Sequence, residues 1–204
     1  MTIEEDLFPG TEMPDGEWWS ALWPDPHGVI AKLGIKPGMT ALDLCCGDGY
    51  FTLPMAELLE GRVYALDIDP ELLEKARSRI DRSGTTVAGW ICADAMDMAG
   101  LIPEELDLVL ITNTFHGVPD KPAMARAVAA VLKPGGRLII INWRPSPREE
   151  TIVLGEPGGP KTGLRMWPLD VRKVVQPAGF RFTRLVDLPP YHYGVIFRKS
   201  PHLE

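Results

Sequence analysis

The sequence has no long hydrophobic run and no segment typical of a secretory signal. Its apolar runs, such as Leu138–Ile141, stop after a few residues, whereas a membrane-spanning helix needs roughly 20. The first residues, Met1–Asp6, are acidic and contain no apolar stretch of the kind that signal peptides carry. We therefore expect neither a membrane partner nor export.

Cysteine and histidine are also scarce. The three cysteines include an adjacent pair, Cys45 and Cys46, and form neither a disulfide framework nor a C-x-x-C zinc spacing. The four histidines show no helical spacing typical of a metal site, so we expect no metal. Because unpaired cysteines are typical of a reducing environment, we predict a cytoplasmic location.

Positive charge is in the minority. Lys and Arg number 21 against 28 Asp and Glu, which gives a formal net charge of −7. A broad phosphate-binding surface needs clustered cations, so we expect no nucleic-acid partner. Nothing in the sequence fixes the oligomeric state.

What is present is an ordinary globular composition, with 45% hydrophobic and 24% charged residues in a chain of 204. This length favours a single domain over residues 1–204. Residues 1–22 are predicted to form an irregular N-terminal arm that caps the site. The Pro- and Gly-rich residues 144–164 are predicted to form a lid-like loop.

Short apolar runs alternate with amphipathic stretches along the chain. The pattern predicts strands at Thr40–Leu44, Arg62–Leu66, Thr86–Ile91, Leu106–Thr112, Arg137–Asn142, Phe180–Asp187 and Tyr193–Arg198. Between the first five lie predicted helices, one of them opened by Asp69 and Pro70 and ended by Gly84. Apolar strands separated by helices indicate an α/β fold with a doubly wound, parallel sheet covered on both faces.

Polar or small residues follow each of the first four predicted strands, where such a sheet binds its ligands. The turn Asp43–Gly49 contains two glycines, which let backbone approach a ligand closely. Asp67 follows the second strand, and its carboxylate could accept hydrogen bonds from two vicinal ribose hydroxyls. Asp94-Ala95 follows the third strand and suits an exocyclic amine, and Asn113–His116 follows the fourth.

These residues resemble the class I S-adenosylmethionine-dependent methyltransferases. Leu42–Phe51 is similar to the family's glycine-rich first motif, Val63–Pro70 to its second, Ala93–Ala95 to its third, and Leu132–Ile139 to the turn and strand after its fourth helix. The resemblance covers residues 28–143 closely and extends loosely to Arg198. It implies a Rossmann-like, mostly parallel seven-stranded sheet with a C-terminal antiparallel strand. Within the family, the chain is most similar to small-molecule enzymes related to those of quinone biosynthesis.

The resemblance also implies a cofactor site for S-adenosylmethionine. Asp43, Gly47 and Gly49 would face the methionine part, Asp67 the ribose, Ile68 and Asp94 the adenine, and Asn113 the amino acid end by its backbone. Cys45, Tyr50 and Ala95 complete the predicted cofactor-binding set. Cys45 stands where the family usually has glycine, and a cysteine cannot adopt positive φ cheaply. A nicotinamide dinucleotide fingerprint is disfavoured, because Thr52 occupies the position of its third glycine.

The acceptor side is predicted less directly. His116 follows the fourth strand and is the candidate general base, with a loop or helix-cap histidine as the alternative. Candidate substrate residues are Trp19, Trp143, Arg144 and Tyr191. Arg144 would pair with an anionic group of the acceptor, with a lid carboxylate such as Glu149 or Glu150, or with neither.

The sequence thus predicts methyl transfer to a small organic acceptor by in-line displacement. Two alternatives stay open, a protein methyltransferase and a non-catalytic module that binds S-adenosylmethionine.

Overall fold

A computed structural model describes residues 13–201. Its helices are α1 (Gly16–Leu22), α2 (Pro26–Lys32), α3 (Thr52–Leu58), α4 (Pro70–Ser83), α5 (Lys121–Val131) and α6 (Pro168–Val175). Its strands are β1 (Ala41–Leu44), β2 (Val63–Asp67), β3 (Gly89–Cys92), β4 (Leu106–Thr112), β5 (Leu132–Trp143), β6 (Ile152–Val153), β7 (Glu156–Pro157), β8 (Phe180–Leu188) and β9 (His192–Lys199). Single 3-10 turns join several of these elements, among them Ala95–Gly100 and Phe115–Gly117.

Seven of the strands form one sheet in the order β3-β2-β1-β4-β5-β9-β8. Strands β1 to β5 are parallel, whereas β9 is antiparallel to both of its neighbours, β5 and β8. The order reverses between β1 and β4, which places a switch point there. The predicted doubly wound, mostly parallel sheet with an antiparallel C-terminal strand is confirmed.

Alternate residues of the central strands enter two separate cores, one on each face of the sheet. In β4, Leu108 and Leu110 pack with α2 and α3, whereas Val109 and Ile111 pack with α5 and α6. Because strand side chains alternate between faces, continuous apolar runs are required when helices cover both sides. This packing fixes the carboxyl ends of β1, β2, β4 and β5 along one edge.

Local signals account for the start and end of α4, which follows the second strand. Asp69 caps the helix through hydrogen bonds that its carboxylate accepts from the N–H groups of Glu71 and Leu72. Gly84 ends it in the left-handed conformation, at φ 74°. These are the boundaries that the sequence predicts.

Two predictions for irregular segments are corrected. The arm is not irregular throughout, because Gly16–Leu22 is a helix whose first turn is capped by the Asp15 carboxylate. This helix buries Trp19 and Leu22 against the sheet, and residues 1–12 of the arm lie outside the described range. The lid-like loop contains the two-stranded ribbon of β6 and β7. Within residues 13–201, no helix is both long and apolar enough to cross a membrane.

Candidate active site

A cavity of about 580 Å³ opens at the carboxyl edge of the sheet. Its wall combines strand ends, the N-terminal helix and the lid, which are far apart in the sequence. The lining residues include Asp43, Cys45, Gly47, Tyr50, Asp67, Ile68, Asp94, Ala95, Asn113, His116, Trp18, Trp19, Trp143 and Arg148. The structure therefore brings together most of the predicted cofactor residues with His116, Trp19 and Trp143.

The loop after β1 has the backbone conformation of a glycine-rich turn, even where glycine is missing. Cys45 lies at φ 60° and Gly47 at φ 56°. A side chain at Gly47 would be strained by the positive φ, and its Cβ would also displace the flexible end of Met13. Gly49 does not line the cavity; a Cβ on it would come within 2.9 Å of the Ala76 Cβ. Its role in the structure is close packing against α4.

Asp67 ties the glycine loop to the end of β2. Its Oδ2 accepts a hydrogen bond from the Gly47 N–H (2.8 Å), and its Oδ1 accepts one from the Asp69 N–H (3.0 Å). The side chain is buried but lines the cavity. A carboxylate has about four acceptor positions, so two remain for hydroxyl donors.

The neighbouring part of the wall is a slot with an apolar surface and one polar edge. Ile68 lines the cavity and is 58% exposed, so its side chain is available to a ligand. Asp94 is exposed, and its Oδ1 accepts a hydrogen bond from the Met96 N–H (2.8 Å), which leaves Oδ2 open. Ala95 follows it and is buried. A flat heterocycle with an exocyclic amine fits this combination.

Among the carboxyl groups of the cavity wall, that of Asp43 has the largest pKa shift. Its side chain is buried, and burial raises its pKa to about 7, even though the hydroxyl of Thr52 donates a hydrogen bond to it (2.6 Å). The nearby charges of Asp67 and Asp48 push in the same direction as burial. A positively charged ligand group beside Asp43 would favour its ionised form.

His116 lies in the 3-10 turn after β4, with Asn113 at φ 57° starting the turn. The imidazole is buried next to the Asn142 side chain, and burial lowers the pKa of His116 to about 4. At neutral pH the ring is therefore neutral and offers one nitrogen as an acceptor. In residues 13–201 no group of three or more His, Cys, Asp or Glu side chains could hold a metal ion.

Aromatic rings form the opposite wall. The rings of Trp18 and Trp143 lie 6.0 Å apart and both line the cavity with Trp19. Behind them, His192 is fully buried between Trp23 (4.3 Å) and Trp143 (4.2 Å). Tyr50 also lines the cavity, and its hydroxyl donates to the Trp23 carbonyl oxygen (2.6 Å).

The lid, residues 144–164, is fastened over these rings by Arg165. This buried guanidinium donates hydrogen bonds to the carbonyl oxygens of Ser146, Gly158 and Pro160 and to the hydroxyl of Thr151. Its charge lies 5.0 Å from the centre of the Trp143 ring. The sequence reasoning missed Arg165. The sequence did offer one signal. Arg165 directly follows an irregular loop, and the backbone carbonyl oxygens of such a loop need hydrogen-bond donors.

Two predicted substrate residues lie elsewhere. Arg144 does not line the cavity. It pairs with the carboxylate of Asp187, which lies in β8 and not in the lid. Tyr191 stacks on the outer side of Trp143 at 6.2 Å, and its hydroxyl bonds the backbone of Ile152. The arginine that does line the cavity is Arg148, four positions further along the chain.

Comparison with known proteins agrees with this geometry. Residues 41–136 match a family model described as a methyltransferase domain. A protein-L-isoaspartate O-methyltransferase of Pyrococcus horikoshii is 34% identical over 132 residues, which are 63% of this chain and 54% of the relative. A ubiquinone biosynthesis O-methyltransferase of Xanthomonas euvesicatoria is 36% identical over 139 residues, which are 64% of this chain and 57% of the relative. The chain thus spans little more than half the length of these curated relatives.

The same fold is found in solved structures. A SAM-dependent methyltransferase of Aquifex aeolicus superposes with a TM-score of 0.75 at 23% identity, over 94% of this chain and 97% of that one. The strand order, the antiparallel β9 and the cavity at the carboxyl edge define a class I methyltransferase fold. Residues 41–136 thus match a methyltransferase domain, and the chain has the fold of the class I S-adenosylmethionine-dependent methyltransferases.

Proposed function

We propose that the protein transfers a methyl group from S-adenosylmethionine to a small organic acceptor. The observation that carries the proposal is one continuous cavity with two chemically different ends. The donor end contains Asp43, Gly47, Asp67, Ile68 and Asp94. The acceptor end contains Trp18, Trp19, Trp143, Arg148 and His116.

The donor end fits the cofactor part by part. The free acceptor positions of Asp67 suit two ribose hydroxyls, and Ile68 with Asp94 suits adenine and its amino group. Asp43, which is buried and partly protonated near neutral pH, suits the cationic amino acid end. When bound, S-adenosylmethionine supplies a methyl group on a positively charged sulfur, which an acceptor nucleophile displaces in line.

The acceptor end supplies alignment and exclusion of water. Tryptophan rings and the Gly158-Gly159 backbone packed on them line this end, which restricts how an acceptor approaches the donor end. His116 is neutral at neutral pH, so it can accept a hydrogen bond from the acceptor. A base whose conjugate acid has a pKa near 4 holds a proton only weakly, so we assign His116 the role of orienting the acceptor.

A small acceptor is favoured over a protein side chain because the lid forms part of the wall. Arg165 holds residues 146, 151, 158 and 160 of the lid together, and the lid lines part of the space beside the donor end. Protein methylation is the second candidate, since one similar protein is named as a protein-L-isoaspartate O-methyltransferase. A protein that only binds the cofactor would not need a second space lined by tryptophan rings and covered by a lid.

Two measurements test the proposal. Calorimetric titration with S-adenosylmethionine and S-adenosylhomocysteine should give micromolar binding of both, and absence of binding at millimolar concentration would contradict it. Cell extract incubated with the protein and tritium-labelled cofactor should then carry label in the low-molecular-mass fraction. Label found in protein instead would establish the second candidate, and no transfer to either fraction would favour the binding module.

A further inference from the structure

Charge in the cavity wall is segregated by sign. Its carboxylates belong to the strand ends and to the start of α5, and they are Asp43, Asp67, Asp94 and Asp120. Among the lining residues that the structure describes, Arg148 is the one lysine or arginine. It lies in the lid, beside the aromatic wall. The donor end is therefore suited to a cation, and the acceptor end is not.

The backbone and one nitrogen of Arg148 are held by the lid, whereas the end of its guanidinium is not. The Arg148 Nε donates to the Gly159 carbonyl oxygen (3.0 Å), and its backbone N–H donates to the Thr162 hydroxyl (3.0 Å). Within residues 13–201, its Nη1 and Nη2 make no hydrogen bond and no salt bridge. Because Arg148 lines the cavity, the four N–H donors on these two adjacent nitrogens are available to a ligand.

The surface near Arg148 is apolar and is built from aromatic rings and glycine backbone. Trp18 and Trp143 are separated by 6.0 Å with their planes inclined at 49°, and Gly158 and Gly159 press directly on the two rings. A Cβ on Gly159 would come within 2.6 Å of the Trp143 ring. Such walls favour a planar ring, and a guanidinium fork favours the two oxygens of a carboxylate.

We infer that the acceptor is an aromatic carboxylate and that Arg148 binds its carboxylate through Nη1 and Nη2. This inference rests on the proposed function and names the substrate class of the same site. Arg165 strengthens the attraction, because its charge lies behind Trp143 at 5.0 Å from the ring centre. Arg148 is thereby a specificity-determining residue, the role that the sequence suggested for Arg144.

The test compares acids with their neutral amides on protein first saturated with S-adenosylhomocysteine. Benzoate, 4-hydroxybenzoate and 1-naphthoate are titrated calorimetrically against benzamide, 4-hydroxybenzamide and 1-naphthamide. We expect at least one acid to bind about tenfold or more tightly than its amide, as a charge-assisted pair outweighs a neutral one. Arg148→Gln should abolish that preference, and Arg148→Lys should retain part of it. Lys161→Gln is the matched control, an exposed lid cation outside the cavity wall, and should leave the preference unchanged.

Failure of this inference is distinguishable from failure of the proposed function. If S-adenosylhomocysteine does not bind, the proposed function fails and the inference fails with it. If it binds but no acid is preferred over its amide, or no acid binds at all, only the inference is overturned. A preference that survives in Arg148→Gln also overturns it.

Discussion

The two ends of the cavity are built by different means. At the donor end, the lining side chains stand directly at the ends of parallel strands, and Asp67 accepts hydrogen bonds from the Gly47 N–H of the glycine loop and from the Asp69 N–H. At the acceptor end, the wall is an irregular lid whose shape depends on hydrogen bonds from Arg165. The first end is fixed by the sheet, and the second by hydrogen bonds of the lid, four of them from Arg165.

This difference implies that a substitution can disrupt the structure of one end and leave the other end intact. The sheet is held by two large apolar cores, so a change in the lid leaves the strand ends in place. The lid has little regular structure of its own and loses its shape when its donors are removed. Variants at each end should therefore separate cofactor binding from lid closure, and the following predictions run from the largest expected effect to the smallest.

The largest effect is expected for Asp67→Ala at the donor end. The variant would lose the two proposed hydrogen bonds to ribose hydroxyls, and it leaves the Gly47 and Asp69 N–H groups without their Asp67 acceptor. Hydrogen bonds to a charged group contribute about 1.5–3 kcal/mol each. Affinity for S-adenosylhomocysteine should fall by at least about 100-fold in a calorimetric titration.

Asp69→Ala is the matched control in the same turn. It removes the cap of α4 and should cost about 1 kcal/mol of stability, with cofactor affinity changed less than about threefold. Equal losses of affinity in the two variants would mean that Asp67 acts only by holding the turn.

A second prediction concerns pH and has opposite signs at the two ends. The folded-state pKa of Asp43 is raised from 3.8 to about 7, so between these values the folded protein binds more protons than the unfolded chain. Its contribution to stability is complete below pH 3.8 and is lost as pH rises towards 7. Relative to the wild type, Asp43→Asn should gain on the order of 3 kcal/mol in unfolding free energy between pH 5 and pH 8.

His116 provides the opposing case at the acceptor end. Its folded-state pKa is lowered from 6.5 to about 4, so its contribution is present above pH 6.5 and is lost as pH falls through 4. His116→Gln should therefore lose stability relative to the wild type as pH rises from 5 to 7. Urea denaturation at each pH measures both variants, and curves that stay parallel to the wild type would contradict the burial argument.

The donor end could be predicted from the sequence because each residue there depends on local position. A strand followed by Asp67, or by Asp94-Ala95, brings its carboxylate to a known edge of the sheet wherever the rest of the chain folds. The acceptor end could not be predicted in this way. Whether Arg144 or Arg148 faces the cavity is decided by the Asp187 carboxylate and by lid hydrogen bonds, which the local sequence does not encode.

A third prediction tests how the lid is held. Arg165→Leu keeps side-chain bulk but leaves four oxygen acceptors of the lid without their donor, and it should cost about 2 kcal/mol of stability. Proteinase K should cleave within residues 144–164 at least about tenfold faster, while affinity for S-adenosylhomocysteine changes less than about twofold. Cleavage sites are identified by mass spectrometry.

Arg172→Leu controls for loss of a partly buried arginine away from the lid. Arg172 packs on the Phe182 ring at 4.1 Å, so the variant should lose some stability without exposing residues 144–164. Lid cleavage that is unchanged in Arg165→Leu would show that the lid is held by other contacts.

The smallest effect is expected at Cys45, which stands where the class I methyltransferases that the chain resembles usually have glycine. The backbone there adopts φ 60°, which costs a non-glycine residue roughly 1–2 kcal/mol. Glycine would remove this strain but would gain more freedom in the unfolded chain, which offsets roughly 0.5–1 kcal/mol. Cys45→Gly should therefore stabilise the protein by about 0.5–1 kcal/mol in urea denaturation, with cofactor affinity unchanged.

Cys46→Gly should do the opposite, because Cys46 is buried with Ala65 and Leu73 and does not lie at positive φ. Two adjacent cysteines with effects of the same sign would show that backbone conformation is not what distinguishes them.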